Sequence, residues 1–243
     1  MNVLRRPFLN IFWNKNHPLK FKYYQIKLLS INKRYISYNY PYKLVLLTTH
    51  NQLSQKRCFW AWLNVVWNRY DKKRVKEVGP DQAAAEWLLR CGASLKFKNQ
   101  SAWDSDYNSI VSENSKDVGR RIEAIDTNES CVNEMGFGYL DGLQSLNSIS
   151  LRYSPYVTDA CLTKISKYSA NTLETLIIDN CYEISEWGLL NNLPPLKLLK
   201  KLELKNLPLI DNKAIKEKLK EVLPKSCEVV IIASTTPDKI PKK

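Results

Sequence analysis

Four stretches of this 243-residue chain share one pattern: IEAIDTNES at 122–130, LNSISLRYS at 146–154, LETLIIDNC at 173–181 and LKKLELKNL at 199–207. Each has an apolar residue at its first and fourth positions, and at its sixth in all but the first stretch, where Thr127 stands. The intervals from one stretch to the next are 24, 27 and 26 residues. A recurrence of L-x-x-L-x-L-x-x-N/C at this period is the mark of leucine-rich repeats, in which each unit supplies one short strand and a helical return. A single strand cannot bury its apolar face alone, so neighbouring units stack to make the core. The returns are expected at 159–165, 186–193 and 211–223, and 227–232 (CEVVII) is expected to close the stack as a last strand. The fold class expected is therefore α/β: a leucine-rich-repeat solenoid of about four and a half repeats, capped by a small N-terminal helical domain.

Working outward, the segment 59–93, FWAWLNVVWNRYDKKRVKEVGPDQAAAEWLLRCGA, carries three of the seven Trp of the chain within nine residues. The spacing of Trp60, Leu63, Trp67, Tyr70 and Arg74 predicts one helix over 58–77. Phe59, Trp62 and Val66 lie on a second face, and a helix apolar on both faces must bury both. One face can meet its own domain, leaving Phe59, Trp60 and Trp62 for a partner or a membrane interface, where Trp is favoured. Pro80 suits the first turn of a second helix, Asp81 complements its dipole, and Gly92 can adopt the left-handed conformation that stops it. The face Ala84, Trp87, Leu88 and Cys91 is expected to pack on the first helix. Residues 94–120 read as polar and irregular, and 234–243 as a disordered tail.

The formal net charge is +13, but it is unevenly placed. Residues 1–50 hold nine Lys/Arg and no Asp or Glu, which leaves 28 basic and 24 acidic residues, or +4, in the remainder. A basic, acid-free N-terminus reads as a mitochondrial transit peptide, and the domains expected are 1–58 leader, 59–120 helical domain, 121–233 repeats and 234–243 tail. So small a surplus leaves nucleic-acid binding the weakest of the function classes. Both His, His17 and His50, fall in the leader, and no Cys-x-x-Cys pair occurs, which argues against a Cys/His zinc site. No His-based triad, glycine-rich phosphate loop or nucleophile beside a base is found, so no catalytic residue is assigned.

Between the leucines, three rows of side chains are expected along one face: Ala124, Ser148, Thr175 and Lys201; Asp126, Ser150, Ile177 and Glu203; and Asn128, Arg152, Asp179 and Lys205. With strands about 4.8 Å apart, Arg152, Asp179 and Lys205 are expected to satisfy one another.

The stretch 59–93, together with AWDSDYN (102–108), EAIDTNESC (123–131) and DACL (159–162), closely resembles the mitochondrial ATP synthase subunit s family, also called coupling factor B or distal-membrane-arm assembly component 2-like. The resemblance covers most of 59–233. It implies a non-catalytic protein, peripheral on the matrix side of the mitochondrial inner membrane, that supports coupling of the proton-translocating ATP synthase. The partners implied are membrane-sector subunits and the inner-membrane surface; self-association into a homo-oligomer stays open. A related family member is implicated in assembly of respiratory complex I, so an assembly role is the alternative. A ubiquitin-ligase substrate adaptor is a third reading, by analogy of fold alone.

The resemblance also implies a Mg²⁺ ion near the junction of helices and repeats, at positions matched by Gly92 and Asn128. Asn128 stands where the family often has Thr, a change that a backbone ligand survives and a hydroxyl ligand does not. Asp126 or Glu129 could assist, since Mg²⁺ favours hard oxygens and retains waters. From spacing alone, Gly92 is a helix stop and Asn128 a turn residue. Family thiols are tied to activity, and some relatives carry Cys-x-Cys where this chain has Arg152-Tyr153-Ser154. Cys91, Cys131, Cys161 and Cys181 remain as candidate functional thiols; a vicinal dithiol is not expected, and Cys91 reads as structural or singly reactive.

Overall fold

The computed structural model describes residues 52–111, 119–208, 210 and 212–232. The leader expected at 1–58 lies outside them except for 52–58, and the tail expected at 234–243 lies wholly outside. The helices are α1 (Gln52–Asn68), α2 (Lys72–Val78), α3 (Pro80–Arg90), α4 (Tyr107–Val111), α5 (Asp159–Ser169), α6 (Glu186–Asn192) and α7 (Asn212–Val222). The strands are β1 (Ser94–Phe97), β2 (Ile122–Asp126), β3 (Ser148–Arg152), β4 (Thr175–Asp179), β5 (Lys201–Lys205) and β6 (Glu228–Ile232), and a 3-10 turn spans Gly136–Leu140. The fold is mixed α/β. One sheet runs in the order β1-β2-β3-β4-β5-β6, with β1 antiparallel to β2 and every later pair parallel.

The strands pair in the register of the sequence pattern. Ile125, Ile149, Leu176, Leu202 and Val229 stand opposite one another in turn, and all are buried. Leu146, Leu173 and Leu199, which open their units, are buried beside them. The eighth residue of each quoted stretch turns the same way: Glu129, Tyr153, Asn180 and Asn206 all have φ between 46° and 53°. Their N–H groups donate to Arg152, Asp179, Lys205 and Ile232 carbonyls respectively. The strand ladder is thereby extended past each left-handed residue, which repays the steric cost of that conformation in a non-glycine. One step further on, Ser154 and Cys181 donate back to carbonyls at the strand ends. Ser154 Oγ reaches Thr127 O at 2.7 Å, and Cys181 Sγ lies 3.6 Å from Leu151 O.

The structure departs from the sequence reading in four places. The single helix expected over 58–77 is two helices, because Asp71 adopts an extended backbone and its side chain accepts from Lys73 and Arg74 N–H, capping α2. Such a cap is worth about 1 kcal/mol, and the apolar spacing runs through it unbroken, so periodicity alone does not see the stop. Residues 94–120, read as irregular, contain β1 and α4. Leu95 and Phe97 are buried and alternate with Ser94 and Lys96; four residues are too few to show a period, and the strand is made by pairing with β2 on one side and by a bridge from Leu95 to Asp104 on the other. Asp81 does more than face a helix dipole. It is buried, accepts the Ile122 N–H at 2.8 Å and pairs with Arg121 at 3.2 Å, so it fixes the start of β2.

The fourth departure concerns charge. The row Arg152, Asp179, Lys205 is present in register, but its members do not satisfy one another. Arg152 pairs with Asp126 on β2, Lys205 pairs with Glu203 on its own strand, and Asp179 Oδ1 accepts from Asn180 and Asn206 amides at 2.7 and 2.9 Å. The longer Arg and Lys side chains reach carboxylates in the neighbouring row, while the short Asp179 takes the nearest amides. Hydrogen bonding from Lys205, with Lys201 behind it at 3.1 Å, holds the Glu203 carboxyl below its usual range despite its burial.

Candidate functional site

The last turn of α1 is held to the body of the protein by Asn68. Asn68 is 0 % exposed. Its Oδ1 accepts from Trp87 Nε1 (3.1 Å) and Asn133 N (3.0 Å), and its Nδ2 donates to the Cys131 carbonyl at 2.9 Å. One side chain thus joins α1, α3 and the segment that follows β2. An amide suits the position because it offers an acceptor and two donors on one short stem. Beside it, Arg90 Nη2 donates to the Trp67 carbonyl at 3.0 Å, and Cys91 Sγ lies 3.9 Å from the same oxygen. Carbonyls in the last turn of a helix lack intrahelical partners, and α3 supplies them.

Beneath this anchor lies Trp87, also 0 % exposed. Its ring stacks on Tyr139 (centroids 5.5 Å apart, 17° between planes) and meets the edge of Phe137 at 5.7 Å. Tyr139 in turn accepts the Asp71 N–H at 2.9 Å and donates to Arg69 O at 3.1 Å. The expected face of α3 therefore does meet α1, through Trp87 and Cys91, but most of its aromatic packing is on the 3-10 turn. Arg74 of α2 grips the buried Glu86 of α3 through two bonds of 2.9 and 2.7 Å.

With its end fixed, α1 directs Trp60 and Trp62 outward, 58 % and 59 % exposed; each still makes contacts within the chain. Phe59 belongs to the same helix, its side chain lying outside the described part. Among the described residues no helix is long and apolar enough to cross a membrane.

The candidate thiols fall into two kinds. Cys161 and Cys181 are fully buried, and burial pushes their thiols up to about 11 and about 12. A thiol that keeps its proton this firmly is a poor nucleophile, and both read as packing residues. Cys91 and Cys131 differ. Cys131 N donates to Cys91 O at 3.0 Å, and each thiol shifts the protonation of the other. The partners are distant in sequence and meet only because β1 folds back along β2. The Cys91 side chain lowers Cys131, assisted by Arg90 and opposed by burial, while Cys131 and burial hold Cys91 well above the usual thiol range.

Gly92 and Asn128 lie just beyond the paired residues Ser94 and Asp126, at one end of the β1–β2 ladder. Gly92 has φ +82°, the left-handed stop expected of it. Both residues are exposed. The Asp126 carboxylate is committed to Arg152 and to the Asn128 N–H, which leaves the neutral oxygens of Gly92 and Asn128 with exposed Glu129 alongside. Among the described residues no group of three or more His, Cys, Asp or Glu side chains could hold a metal ion. The donor set at this junction fits a hard cation that keeps several of its waters and suits a soft one poorly.

Sequence reasoning missed Asn68, Asn133, Phe137 and Tyr139. A lone polar residue closing an apolar helix was the available signal for Asn68; the others announce nothing until the 3-10 turn is placed against α3.

No protein-family model matches the chain. It is similar to "ATP synthase subunit s, mitochondrial" of Rattus norvegicus, 40 % identical over 173 residues, which is 70 % of this chain and 83 % of the relative. The protein of the same name from Bos taurus is 38 % identical over 169 residues (68 % and 80 %). The Homo sapiens protein is 38 % identical over 154 residues (63 % and 76 %).

Proposed function

The chain belongs to the mitochondrial ATP synthase subunit s family, and from that premise we propose that it is a non-catalytic coupling factor of the mitochondrial ATP synthase. In this reading it sits peripherally on the matrix side of the inner membrane and contacts membrane-sector subunits. Residues 1–58 serve as the import leader, and the strands and their returns form a leucine-rich-repeat solenoid. The observation that carries the reading is the mounting of α1: one end is buried around Asn68 while Trp60 and Trp62 stand exposed. A docking element needs such rigid support, since aromatic anchors held in place lose little entropy on binding.

The test is to replace Trp60 and Trp62 by alanine in the full chain and measure its retention on inner-membrane particles. Aromatic anchors at interfaces contribute about 2 kcal/mol or more each, roughly 30-fold in affinity. The expected result is release of the double variant with an unchanged melting temperature. Retention equal to wild type would reject α1 as the docking element, and depletion that lowers assembled complex I while sparing the ATP synthase would reject the coupling role.

A Mg²⁺ ion would be held by the Gly92 carbonyl and by Asn128, its charge tying the end of α3 to the turn after β2. At Mg²⁺ about 100-fold above Kd, a bound ion stabilises by about 2.7 kcal/mol, which for a chain of this size is about 5–10 °C in melting temperature. Wild type stripped with chelator should show that shift on adding Mg²⁺, and Asn128→Ala less than half of it. Equal shifts would remove Asn128 from the site.

A further inference from the structure

We propose that this chain self-associates through the outer edge of β6, which pairs antiparallel with β6 of a second copy about a twofold axis. The proposal rests on the geometry of the sheet and does not depend on the ATP synthase reading. The two edges of the sheet are finished differently. At the β1 edge, Leu95 and Asp104 exchange backbone bonds of 2.9 and 2.8 Å, which cover part of that side. At the other edge, no described residue pairs with the outer side of β6. Natural sheets blunt such an edge with a proline, a bulge or charge. β6 is Glu228–Ile232, EVVII. It has no proline, it pairs with β5 residue for residue without a shift, and its single charged residue stands at one end.

What the open edge offers follows from the β5 ladder. Glu228 N donates to Lys200 O, and Ile232 O accepts from Asn206 N. The peptide groups of successive residues turn to opposite sides of a strand. Those of Glu228, Val230 and Ile232 therefore point to β5, and the N–H and C=O groups of Val229 and Ile231 point outward. The outward groups are placed symmetrically about Val230. An antiparallel mate centred on Val230 sets Val229 opposite Ile231 of the second copy, and Ile231 opposite its Val229. Both are hydrogen-bonded positions, so every outward group at these residues finds a partner.

The side chains fit a second copy of the same strand. Val230 meets its own counterpart at the non-hydrogen-bonded position, where Cα atoms are about 4.5 Å apart and β-branched side chains pack closely. Val230 and Ile231 are partly exposed and Ile232 is 46 % exposed, so the mate has apolar surface to cover. In this register Glu228 stands beside Ile232 of the second copy and not beside its Glu228, and its neighbour on β5 is Lys201. Glu203 is opposite Val230 on the other side, so two valines separate the Glu203 carboxylates of the two copies. No like charges are directly opposed. The twofold consumes both open edges at once and stops assembly at two chains. A pair of five-residue strands covers less than the about 1,200 Å² of a stable complex, so the dimer forms and dissociates with concentration.

The experiment follows the mass of the reduced full chain by sedimentation velocity from about 1 µM to about 200 µM, the span in which weak interfaces exchange. The expected result is a rise from the mass of one chain to that of two. Val230→Lys sets two ammonium groups face to face at the axis and should hold the mass of one chain throughout, with an unchanged melting temperature. The double variant Trp60→Ala, Trp62→Ala should still dimerise, which separates this edge from association through α1. Val230→Cys, mildly oxidised and peptide-mapped, should give a chain-to-chain link from position 230 to position 230, and it reads the axis directly even where lysine at that position disturbs folding. A wild type that keeps the mass of one chain throughout overturns the proposal and leaves the edge to a strand of a different protein or to residues 233–243. So does a dimer that persists in folded Val230→Lys, a dimer lost with the two tryptophans, or a link that avoids position 230.

Discussion

Asn68→Ala is expected to lower the unfolding free energy of the full chain by about 3–5 kcal/mol. The truncation strips partners from Trp87 Nε1, Asn133 N and the Cys131 carbonyl at once. Each buried polar group left unpaired costs about 1–3 kcal/mol, and no water replaces the amide cheaply at a site with 0 % exposure. Domains of this kind are stable by only about 5–15 kcal/mol, so the loss is a large fraction of the whole. Denaturant unfolding measures it directly. Asn64→Ala is the control, since Asn64 is partly exposed and bonds chiefly to Asn68 itself. A change within about 1 kcal/mol for Asn68→Ala would show that α1 is held by apolar contact alone.

Gly136→Ala is expected to destabilise by about 3 kcal/mol, at the upper end of ordinary overpacking. A Cβ at Gly136 would lie 2.2 Å from Trp87 Nε1 and 2.3 Å from Cε2. The indole cannot withdraw, being stacked on Tyr139, edged by Phe137 and hydrogen-bonded to Asn68. Gly136 is not a left-handed residue among the glycines, so the effect is steric and not conformational. Gly138→Ala separates these causes: its Cβ would meet only the Tyr70 ring at 3.3 Å, and that ring is partly exposed and can yield. Thermal melts of the two variants should differ by several degrees. Equal melting temperatures would mean that the 3-10 turn moves freely and that Trp87 is not clamped.

Both predictions converge on Trp87, a residue visible in the sequence only as one apolar member of a helical face. The strands themselves were legible because the LxxLxL pattern repeats; four occurrences in register carry information that one lacks. The returns at α5, α6 and α7 were legible for the same reason, each following its strand at a fixed offset. β1 was not, since four residues show no period and its pairing depends on a strand that begins 25 residues later. The break between α1 and α2 was hidden by an apolar stripe that continues through it, with Tyr70 packed on Tyr139 and Arg74 on Glu86. The stripe Trp60, Leu63, Trp67, Tyr70 and Arg74 is at most half-buried, and it misreported helix continuity because a capping Asp leaves the apolar spacing untouched.

The candidate site divides along the same line. Trp60 and Trp62 were named from local crowding of aromatic residues, and the structure leaves both more than half exposed. The charged row was placed in register but not in partnership, because side-chain length and not strand order decides which carboxylate an Arg or Lys reaches. By itself the amino-acid sequence determined the repeat, the strand register, the left-handed stop at Gly92 and the uneven distribution of charge, all of which depend on spacing or on one residue's own stereochemistry. Only the tertiary structure decided that Asn68 joins three segments, that Asp81 starts β2, and that Cys91 meets Cys131. Those are contacts between residues far apart in the chain, and their energies come from burial of polar and reactive groups that a linear pattern of apolar positions does not record.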